Sequence, residues 1–249
     1  MTIQFFAPRC WDGSIMRLPN AYRKKVRWLP EIGDIFPNFH LESTHGPIEF
    51  WDWAEGSWTY LFSHPAARTP VCTTELGSIA ANGEDFAALG VNALGLSGSS
   101  IAEQQLWHRE VMDLYGHDVW FPTGQDASGQ LLDLFGACHA HEAEAFPIRK
   151  SFVLDPQMRI RMIIEYPMQI GRNVEEILRV FEALQVCEET RAATPADWNQ
   201  GDPLILPDYR SEEDVIRVFG TTSKHLLSYL RIVDGFRRSS IAPLWPSNN

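Results

Sequence analysis

Cysteine is scarce in this sequence, whose 249 residues contain only Cys10, Cys72, Cys138 and Cys187. No two of them form a CxxC pair. Small domains that depend on disulfides are much denser in cysteine, so a disulfide scaffold is excluded. Single, widely separated cysteines are typical of a reducing compartment, and we therefore expect a cytoplasmic location.

The sequence also has few basic residues and no long apolar run. The chain has 32 Asp and Glu residues against 21 Lys and Arg residues, for a formal net charge of -11. An acidic surface repels phosphate backbones and anionic lipids, so we expect neither nucleic acid nor a membrane as partner. No run approaches the roughly 20 apolar residues of a transmembrane helix, and the first residues lack the pattern of a secretory signal.

What the sequence does contain is an alternation of strand and helix patterns. Predicted strands cover residues 57–62, 91–96, 148–154 and 159–165. Ser100 and Glu103 have the spacing of a capping box, and the helix they begin should end at Gly116. A second long helix should begin at Asn173. This alternation predicts an α/β fold with a central sheet flanked by helices.

Composition divides the chain into three predicted segments. Residues 1–32 form an N-terminal extension with a local positive bias, and residues 33–191 hold the strands and helices of the sheet domain. Helix-breaking proline pairs appear after Arg191, at Thr194-Pro195, Asp202-Pro203 and Leu206-Pro207. Residues 192–249 are therefore predicted to form a smaller C-terminal module.

Cys72 lies where a reactive thiol is expected. It follows a predicted strand, and Thr69 and Pro70 are typical of an N-cap and the first residue of a helix. In the first helical turn, unpaired backbone N–H groups and the positive end of the helix dipole stabilise a thiolate. Most free cysteines are inert apolar residues. The strand-to-helix position and the spacing of Pro65, Thr69 and Cys72 argue against that reading here.

The segment around Cys72 resembles a known family. Residues 63–77 read SHPAARTPVCTTELG and resemble the active-site signature of the peroxiredoxins, in particular of their one-cysteine group. Further matches lie at residues 33–39, 146–156, 166–167, 171–173, 176–180 and 193–198, so the resemblance spans about residues 33–205. It implies a thioredoxin-like fold with a mixed sheet. It also implies a homodimer in which the C-terminal arm, 192–249, reaches over the active site of the partner.

The resemblance implies a thiol peroxidase that reduces hydrogen peroxide and organic hydroperoxides. Cys72 would be the nucleophile and would become a sulfenic acid. Thr69 would hydrogen-bond the thiolate and the incoming peroxide, while Pro65 would shield the pocket from water. No cofactor and no metal ion is implied.

Three further residues have implied roles in the same site. Arg149 would pair with the thiolate and polarise the O–O bond. Glu75 would orient Arg149 from the next helical turn, and His64 would lie beside the sulfur. Each of these side chains also has a plain structural interpretation, an ion pair for Arg149 with Glu75 and a loop residue for His64.

The remaining cysteines bear on how the sulfenic acid is reduced. No cysteine follows Cys187, so the C-terminal resolving cysteine of two-cysteine relatives is missing. The resemblance therefore implies an external thiol as reductant. We expect Cys138 and Cys187 to be structural, and Cys10 stays open as a resolving partner.

Two other functions remain possible from the sequence. Oxidation of Cys72 could serve as a peroxide-sensing redox switch without efficient turnover. Alternatively, Cys138, His139 and His141 could bind a metal ion, although residues this close in sequence seldom converge on one ion.

Arg68 stands where the family usually carries an aromatic residue. Its side chain either adds positive potential beside Cys72 or is a solvated loop side chain.

Overall fold

The computed structural model describes residues 29–143, 146–234 and 236. The predicted N-terminal extension, including Cys10, therefore lies outside the described residues except for 29–32. Two compact units are present, divided between Arg172 and Asn173. In the part of the chain described, no helix is long and apolar enough to cross a membrane.

The first unit is built on a seven-stranded sheet of order β2-β1-β5-β4-β3-β6-β7. Its strands are β1 (His40–Ser43), β2 (Gly46–Glu49), β3 (Trp58–Ser63), β4 (Val91–Ser97), β5 (Thr123–Gln125), β6 (Arg149–Leu154) and β7 (Ile160–Tyr166). Strands β3, β4 and β5 are parallel, whereas β6 is antiparallel to β3 and to β7. The sheet is mixed, as predicted, and four of its strands lie within one residue of the predicted bounds.

Helices connect and cover these strands. They are α1 (Phe50–Ala54), α2 (Pro70–Ala81), α3 (Gly83–Ala88), α4 (Ile101–Tyr115) and α5 (Gln130–Leu134). The capping box at Ser100 and Glu103 is formed, and Gly116 ends α4 in the left-handed conformation, so both predicted helix signals are confirmed. A Cβ at Gly77 of α2 would lie 2.6 Å from the Tyr115 ring, so this glycine allows α2 and α4 to pack closely.

Apolar side chains fill the interior of the first unit. All six residues of β3 are buried, as expected for a strand paired on both sides. One cluster groups buried aromatic and aliphatic side chains of the sheet and its neighbouring loops, among them Phe36, Phe39, Phe50, Leu61 and Phe152. This core makes β3 a rigid support for the residues that follow it.

The second unit contains α6 (Val174–Thr190), α7 (Glu212–Phe219) and a three-stranded antiparallel sheet of order β8-β10-β9. The strands are β8 (Leu204–Leu206), β9 (Lys224–Leu227) and β10 (Leu230–Val233). Ala183 and Val186 of α6 share a buried cluster with Trp198, Leu204 and Val215. The unit therefore begins at α6, earlier than the composition change after Arg191 suggested.

Candidate active site

The candidate site lies at the carboxyl end of β3, where the chain turns into α2. The amide of His64 donates to the carbonyl of Leu96 at 3.0 Å, which continues the pairing of β3 with β4 by one residue. Helix α2 then begins at Pro70, with Thr69 as its N-cap in an extended conformation. Cys72 is the third residue of this helix and is fully buried. The predicted position of Cys72 in a first helical turn is confirmed.

Arg149 reaches Cys72 from the neighbouring strand. Because β6 runs antiparallel to β3, the first residue of β6 lies beside the end of β3. Arg149 Nη1 lies 3.2 Å from Cys72 Sγ and 2.6 Å from Glu75 Oε2, and both side chains around it are buried. Arg149 Nε and Nη2 both donate to the carbonyl of Met168, at 3.0 and 2.6 Å. The guanidinium is thus fixed with one nitrogen directed at the sulfur.

A second arginine, Arg172, completes this cluster. Its backbone N, Nε and Nη2 donate to the Glu75 carboxylate at 2.9, 2.8 and 2.9 Å. Nη1 donates to Ser151 Oγ at 3.1 Å, which in turn lies 3.1 Å from the Tyr60 hydroxyl. Burial alone would lower the pKa of Arg172, but the negative charges of groups around it, Glu75 and Cys72 among them, raise it. Arg172 is therefore charged.

Neither Arg172 nor the carbonyl of Met168 has a role predicted from the sequence. Any residue can supply a carbonyl, so position 168 carries no chemical signal. Arg172 stood in a stretch that matched the family, but only the pairing of β6 with β7 brings the chain after β7 back to Glu75. The signal that could have been used is Arg172 itself, a further arginine within the matched stretch 171–173.

The buried cluster carries a formal charge of +1 from Arg149, Arg172 and Glu75. A positive charge inside a protein is costly unless it is balanced. A thiolate at Cys72, 3.2 Å from Arg149 Nη1, brings the sum to zero. Cys72 Sγ therefore lies next to a guanidinium nitrogen, in a buried cluster whose formal charge without the sulfur is positive.

Thr69 differs from its predicted contact. Its hydroxyl donates to the carbonyl of Ala66 at 3.0 Å, and its side chain makes no capping bond to the helix. The proton of the hydroxyl is thus committed to the preceding loop, which leaves the oxygen as an acceptor. Pro65 is buried in that loop, next to Ala66.

Two further contacts hold the loop between β3 and α2 in place. The amide of Ala67 donates to Ser99 Oγ at 2.9 Å, just beyond the end of β4. Arg68, with a φ of 58°, pairs with Glu110 of α4 at 2.8 Å, and both side chains are about half exposed. Arg68 is therefore an ion-paired surface residue, rather than a free charge directed at Cys72.

His64 is fully buried, and neither ring nitrogen has a hydrogen-bond partner among the described residues. The ring lies 5.3 Å from that of Trp107. Burial, together with the charges of Arg172, His108 and Arg149, lowers the pKa of His64 to about 3. The imidazole is therefore neutral at any pH at which the protein is expected to work.

The buried state of His64 predicts a dependence of stability on pH. In the unfolded chain a histidine has a pKa of about 6.5, so below that pH the unfolded state takes up a proton that the folded state does not. The free energy of unfolding should fall as the pH drops below about 6.5, by about 2 kcal/mol at pH 5 from this residue. Urea unfolding of wild type and His64→Gln at pH 7 and pH 5 measures the share that His64 contributes.

The drop between the two pH values should be smaller by that amount in His64→Gln, while His117→Gln, at an exposed position, should leave it unchanged. An equal drop in wild type and His64→Gln would contradict the assignment of a buried, neutral imidazole.

Glu75 is expected to contribute strongly to the free energy of unfolding, as well as to fix the positions of Arg149 and Arg172. Its carboxylate accepts from Arg149 and Arg172, and its side chain is 3% exposed. Glu75→Gln removes the negative charge from between two buried guanidinium groups, which typically costs about 3–5 kcal/mol. Urea unfolding at pH 7 should reveal this loss.

The matched control is Glu110→Gln, which breaks the half-exposed pair with Arg68. Exposed pairs contribute about 0–1 kcal/mol, so this variant should remain close to wild type. Equal losses in the two variants would mean that the Glu75 cluster is no more important than a surface ion pair.

The other cysteines lie in different settings. Cys187 is half-buried in α6, and Cys138 is exposed in the loop after α5. The structural role that the sequence suggested for both cysteines stays a prediction. Among the described residues, no three His, Cys, Asp or Glu side chains come together as a metal site, and the alternative site at Cys138, His139 and His141 has no support.

A thioredoxin-like sheet with a buried cysteine in the first turn of the helix after its central strand defines a thiol-dependent oxidoreductase. The AhpC/TSA family matches residues 32–163, and the C-terminal domain of 1-Cys peroxiredoxin matches residues 183–221. The chain therefore belongs to the AhpC/TSA family, the peroxiredoxins, and is a peroxidase of the one-cysteine type.

Individual relatives agree with this assignment. A 1-Cys peroxiredoxin of Dictyostelium discoideum is 32% identical over 201 residues, which cover 81% of this chain and 83% of the relative. The structure of a peroxiredoxin 6 of Arenicola marina superposes with a TM-score of 0.76 and 34% identity, covering 84% of this chain and 99% of that one. The yeast mitochondrial 1-Cys peroxiredoxin gives a TM-score of 0.75 and 33% identity, covering 83% and 100%.

Proposed function

We propose that Cys72 is the peroxidatic nucleophile and that Arg149, Glu75, Thr69, Pro65 and His64 assist it. The observation that carries this proposal is the 3.2 Å contact between Arg149 Nη1 and Cys72 Sγ inside a buried cluster of net positive charge. Thiolate chemistry needs a nearby cation and donors directed at the oxygen that departs. Arg149 meets both needs.

The first half of the reaction transfers one oxygen atom. The Cys72 thiolate attacks the nearer oxygen of the hydroperoxide, an S–O bond forms, and the O–O bond breaks. The electron pair leaves with the distal oxygen, which takes up a proton to give water or an alcohol, and Cys72 becomes a sulfenic acid. Arg149 stabilises the charge that develops during this step, and the Thr69 oxygen accepts a hydrogen bond from the peroxide.

Ionisation of the thiol alone does not explain the rate of an enzyme. An ordinary thiol is already about 3% ionised at pH 7, so full ionisation gains only about 30-fold, or about 2 kcal/mol. Enzymes usually lower a barrier by about 8 kcal/mol or more. The larger share must come from positioning the peroxide and polarising its O–O bond, which is the role we assign to Arg149 and Thr69.

The other residues act on these groups. Glu75 and Arg172 position Arg149, since one carboxylate binds both guanidinium groups. Pro65 excludes water from the loop before the helix. His64 contributes a buried, neutral imidazole whose ring nitrogens have no hydrogen-bond partner among the described residues.

The second half of the reaction requires an external thiol. The yeast mitochondrial relative is resolved through glutathione and thioredoxin systems, and we propose a reductant of that kind here. Two thiols return Cys72 sulfenic acid to the thiol and yield a disulfide and water. We further propose a homodimer and a cytoplasmic location, on the strength of the family resemblance, the sparse cysteines and the acidic composition.

Sustained turnover separates this function from a peroxide-sensing switch. With hydrogen peroxide or an organic hydroperoxide and a thiol in excess, the protein should consume many equivalents of peroxide per Cys72. A redox switch would stop after about one equivalent. Peroxide consumption at a tenfold to hundredfold excess, followed over time, decides between the two.

A further inference from the structure

Two hydroxyl side chains lie inside the sheet behind Arg172. Tyr60 is on β3 and Ser151 is on β6, and both residues are fully buried. The Tyr60 hydroxyl lies 3.1 Å from Ser151 Oγ, which accepts from Arg172 Nη1 at 3.1 Å. Because a buried hydroxyl costs free energy unless it is hydrogen-bonded, a polar pair in the middle of the sheet calls for an explanation.

The sheet directs these hydroxyls to the face on which the active site lies. Ser151 is opposite Phe62 in the register of β3 with β6, so their two side chains share one face. Tyr60 comes two residues before Phe62, and Arg149 comes two residues before Ser151, so both share that face as well. One face of two neighbouring strands therefore carries both the arginine beside the sulfur and the two hydroxyls.

The Arg172 guanidinium is held by a carboxylate, a hydroxyl and an aromatic ring. Its Nε and Nη2 donate to Glu75, and its third nitrogen, Nη1, donates to Ser151 Oγ. Its Cζ lies 5.0 Å from the centre of the Phe62 ring, which stacks on the Tyr60 ring at 5.0 Å. A guanidinium is a rigid planar fork, so contacts at Nη1 and at one face also fix the two nitrogens that bind the carboxylate.

A continuous series of buried side-chain contacts leads from these hydroxyls to the sulfur. Each contact measures between 2.6 and 3.2 Å. In order, the series is Tyr60, Ser151, Arg172, Glu75, Arg149 and Cys72. Both arginines donate to the same oxygen, Glu75 Oε2, so a rotation of Arg172 would move the group that holds Arg149. A displacement of about 1 Å near reacting atoms can cost about 100-fold in rate.

We infer that Tyr60 and Ser151 are positioning residues of the peroxidase reaction. They hold Arg172 in place and thereby set the position of Arg149 at the sulfur. This inference rests on the proposed function of Cys72. Burial raises the pKa of Tyr60 against the opposing charge of Arg172, so the phenol is neutral and can donate to Ser151 Oγ.

The test compares two replacements of Ser151 that have nearly the same shape. Ser151→Thr keeps the hydroxyl, whereas Ser151→Val replaces it by a methyl group and leaves Arg172 Nη1 without its acceptor. Stopped-flow oxidation of the reduced protein by hydrogen peroxide gives the second-order rate constant. It should fall at least about tenfold in Ser151→Val and stay within about threefold of wild type in Ser151→Thr.

The pH dependence of this rate constant separates positioning from packing. If Arg149 moves away from the sulfur, the thiolate loses a neighbouring positive charge, so the midpoint of the profile should move to higher pH in Ser151→Val. The ultraviolet absorbance of the thiolate follows the same ionisation without peroxide, with the same protein carrying Cys72→Ser as the blank. A residue that only packs the sheet would change the urea unfolding curve, but neither the midpoint nor the rate constant of the folded protein.

Tyr60→Phe removes the other hydroxyl. It should slow oxidation by less than Ser151→Val does, because Ser151 still accepts from Arg172. Since both hydroxyls act through Arg172, adding Tyr60→Phe to Ser151→Val should change the rate constant by less than about twofold.

The matched control is Thr59→Val, at the preceding residue of β3. The Thr59 hydroxyl is also buried, but it has no hydrogen-bond partner in the part of the chain that the structure describes. Its removal should leave both the rate constant and the midpoint unchanged.

Equal rate constants and equal midpoints in Ser151→Val and Ser151→Thr would overturn the inference, as would an equal loss in Thr59→Val. Should Ser151→Val not fold, Tyr60→Phe takes its place, and a rate constant equal to that of wild type then overturns the inference. If hydrogen peroxide fails to oxidise Cys72 in the wild type, the proposed function is wrong. The thiolate absorbance of Ser151→Val would still decide whether these hydroxyls position Arg149.

Discussion

Replacing Cys72 by serine is expected to abolish peroxide reduction. A serine hydroxyl is not ionised near neutral pH, and its oxygen cannot accept the oxygen atom that sulfur accepts. Serine nearly matches cysteine in size, so the buried site beside Arg149 should remain folded. Consumption of hydrogen peroxide by the variant, with a thiol in excess, should fall to the uncatalysed rate.

The controls for this prediction are Cys138→Ser and Cys187→Ser, which change an exposed and a half-buried cysteine. Both should keep wild-type rates of peroxide reduction, because neither is among the residues placed around Arg149. If Cys72→Ser keeps substantial activity, or if one of the controls loses it, Cys72 is not the nucleophile.

Replacing Arg149 by glutamine should reduce kcat/KM for peroxide by about 10²–10³, the usual effect of removing one donor that stabilises developing negative charge. Glutamine removes the charge next to Cys72 Sγ and the two bonds to the carbonyl of Met168. Arg149→Lys should recover only part of the loss. A lysine keeps the charge but cannot reach the sulfur, Glu75 and the Met168 carbonyl at once.

Stopped-flow oxidation of the reduced protein by hydrogen peroxide measures this effect without the thiol step. Arg159→Gln, an exposed arginine near the turn between β6 and β7, should react as fast as wild type. A value for Arg149→Gln within tenfold of wild type would show that the 3.2 Å contact contributes little to the reaction.

Local signals in the sequence were sufficient for much of the fold. Strand β3 is a run of buried residues, and α4 is bounded by a capping box and a left-handed glycine, so both can be located from neighbouring residues alone. The resemblance then placed Cys72, Glu75 and Arg149 in one site, and the structure brings these three together.

Contacts between distant segments could not be predicted in the same way. Arg172 reaches Glu75 only because β7 pairs with β6 and the chain returns to α2. The Thr69 hydroxyl donates to the carbonyl of Ala66 instead of capping the helix. The conformation of the loop between β3 and α2 determines which of these contacts forms. Likewise, α6 joins the second unit because Ala183 and Val186 pack with Trp198, which the proline pattern after Arg191 does not reveal.

Mass spectrometry of the reduced wild-type protein after one equivalent of hydrogen peroxide, without a thiol, tests the account most directly. We expect one oxygen atom to be added to Cys72 as a sulfenic acid that a sulfenic-acid-specific reagent traps, while Cys10, Cys138 and Cys187 remain unmodified. Oxygen on another cysteine with Cys72 still reduced, or loss of peroxide with Cys72 unmodified, would contradict it.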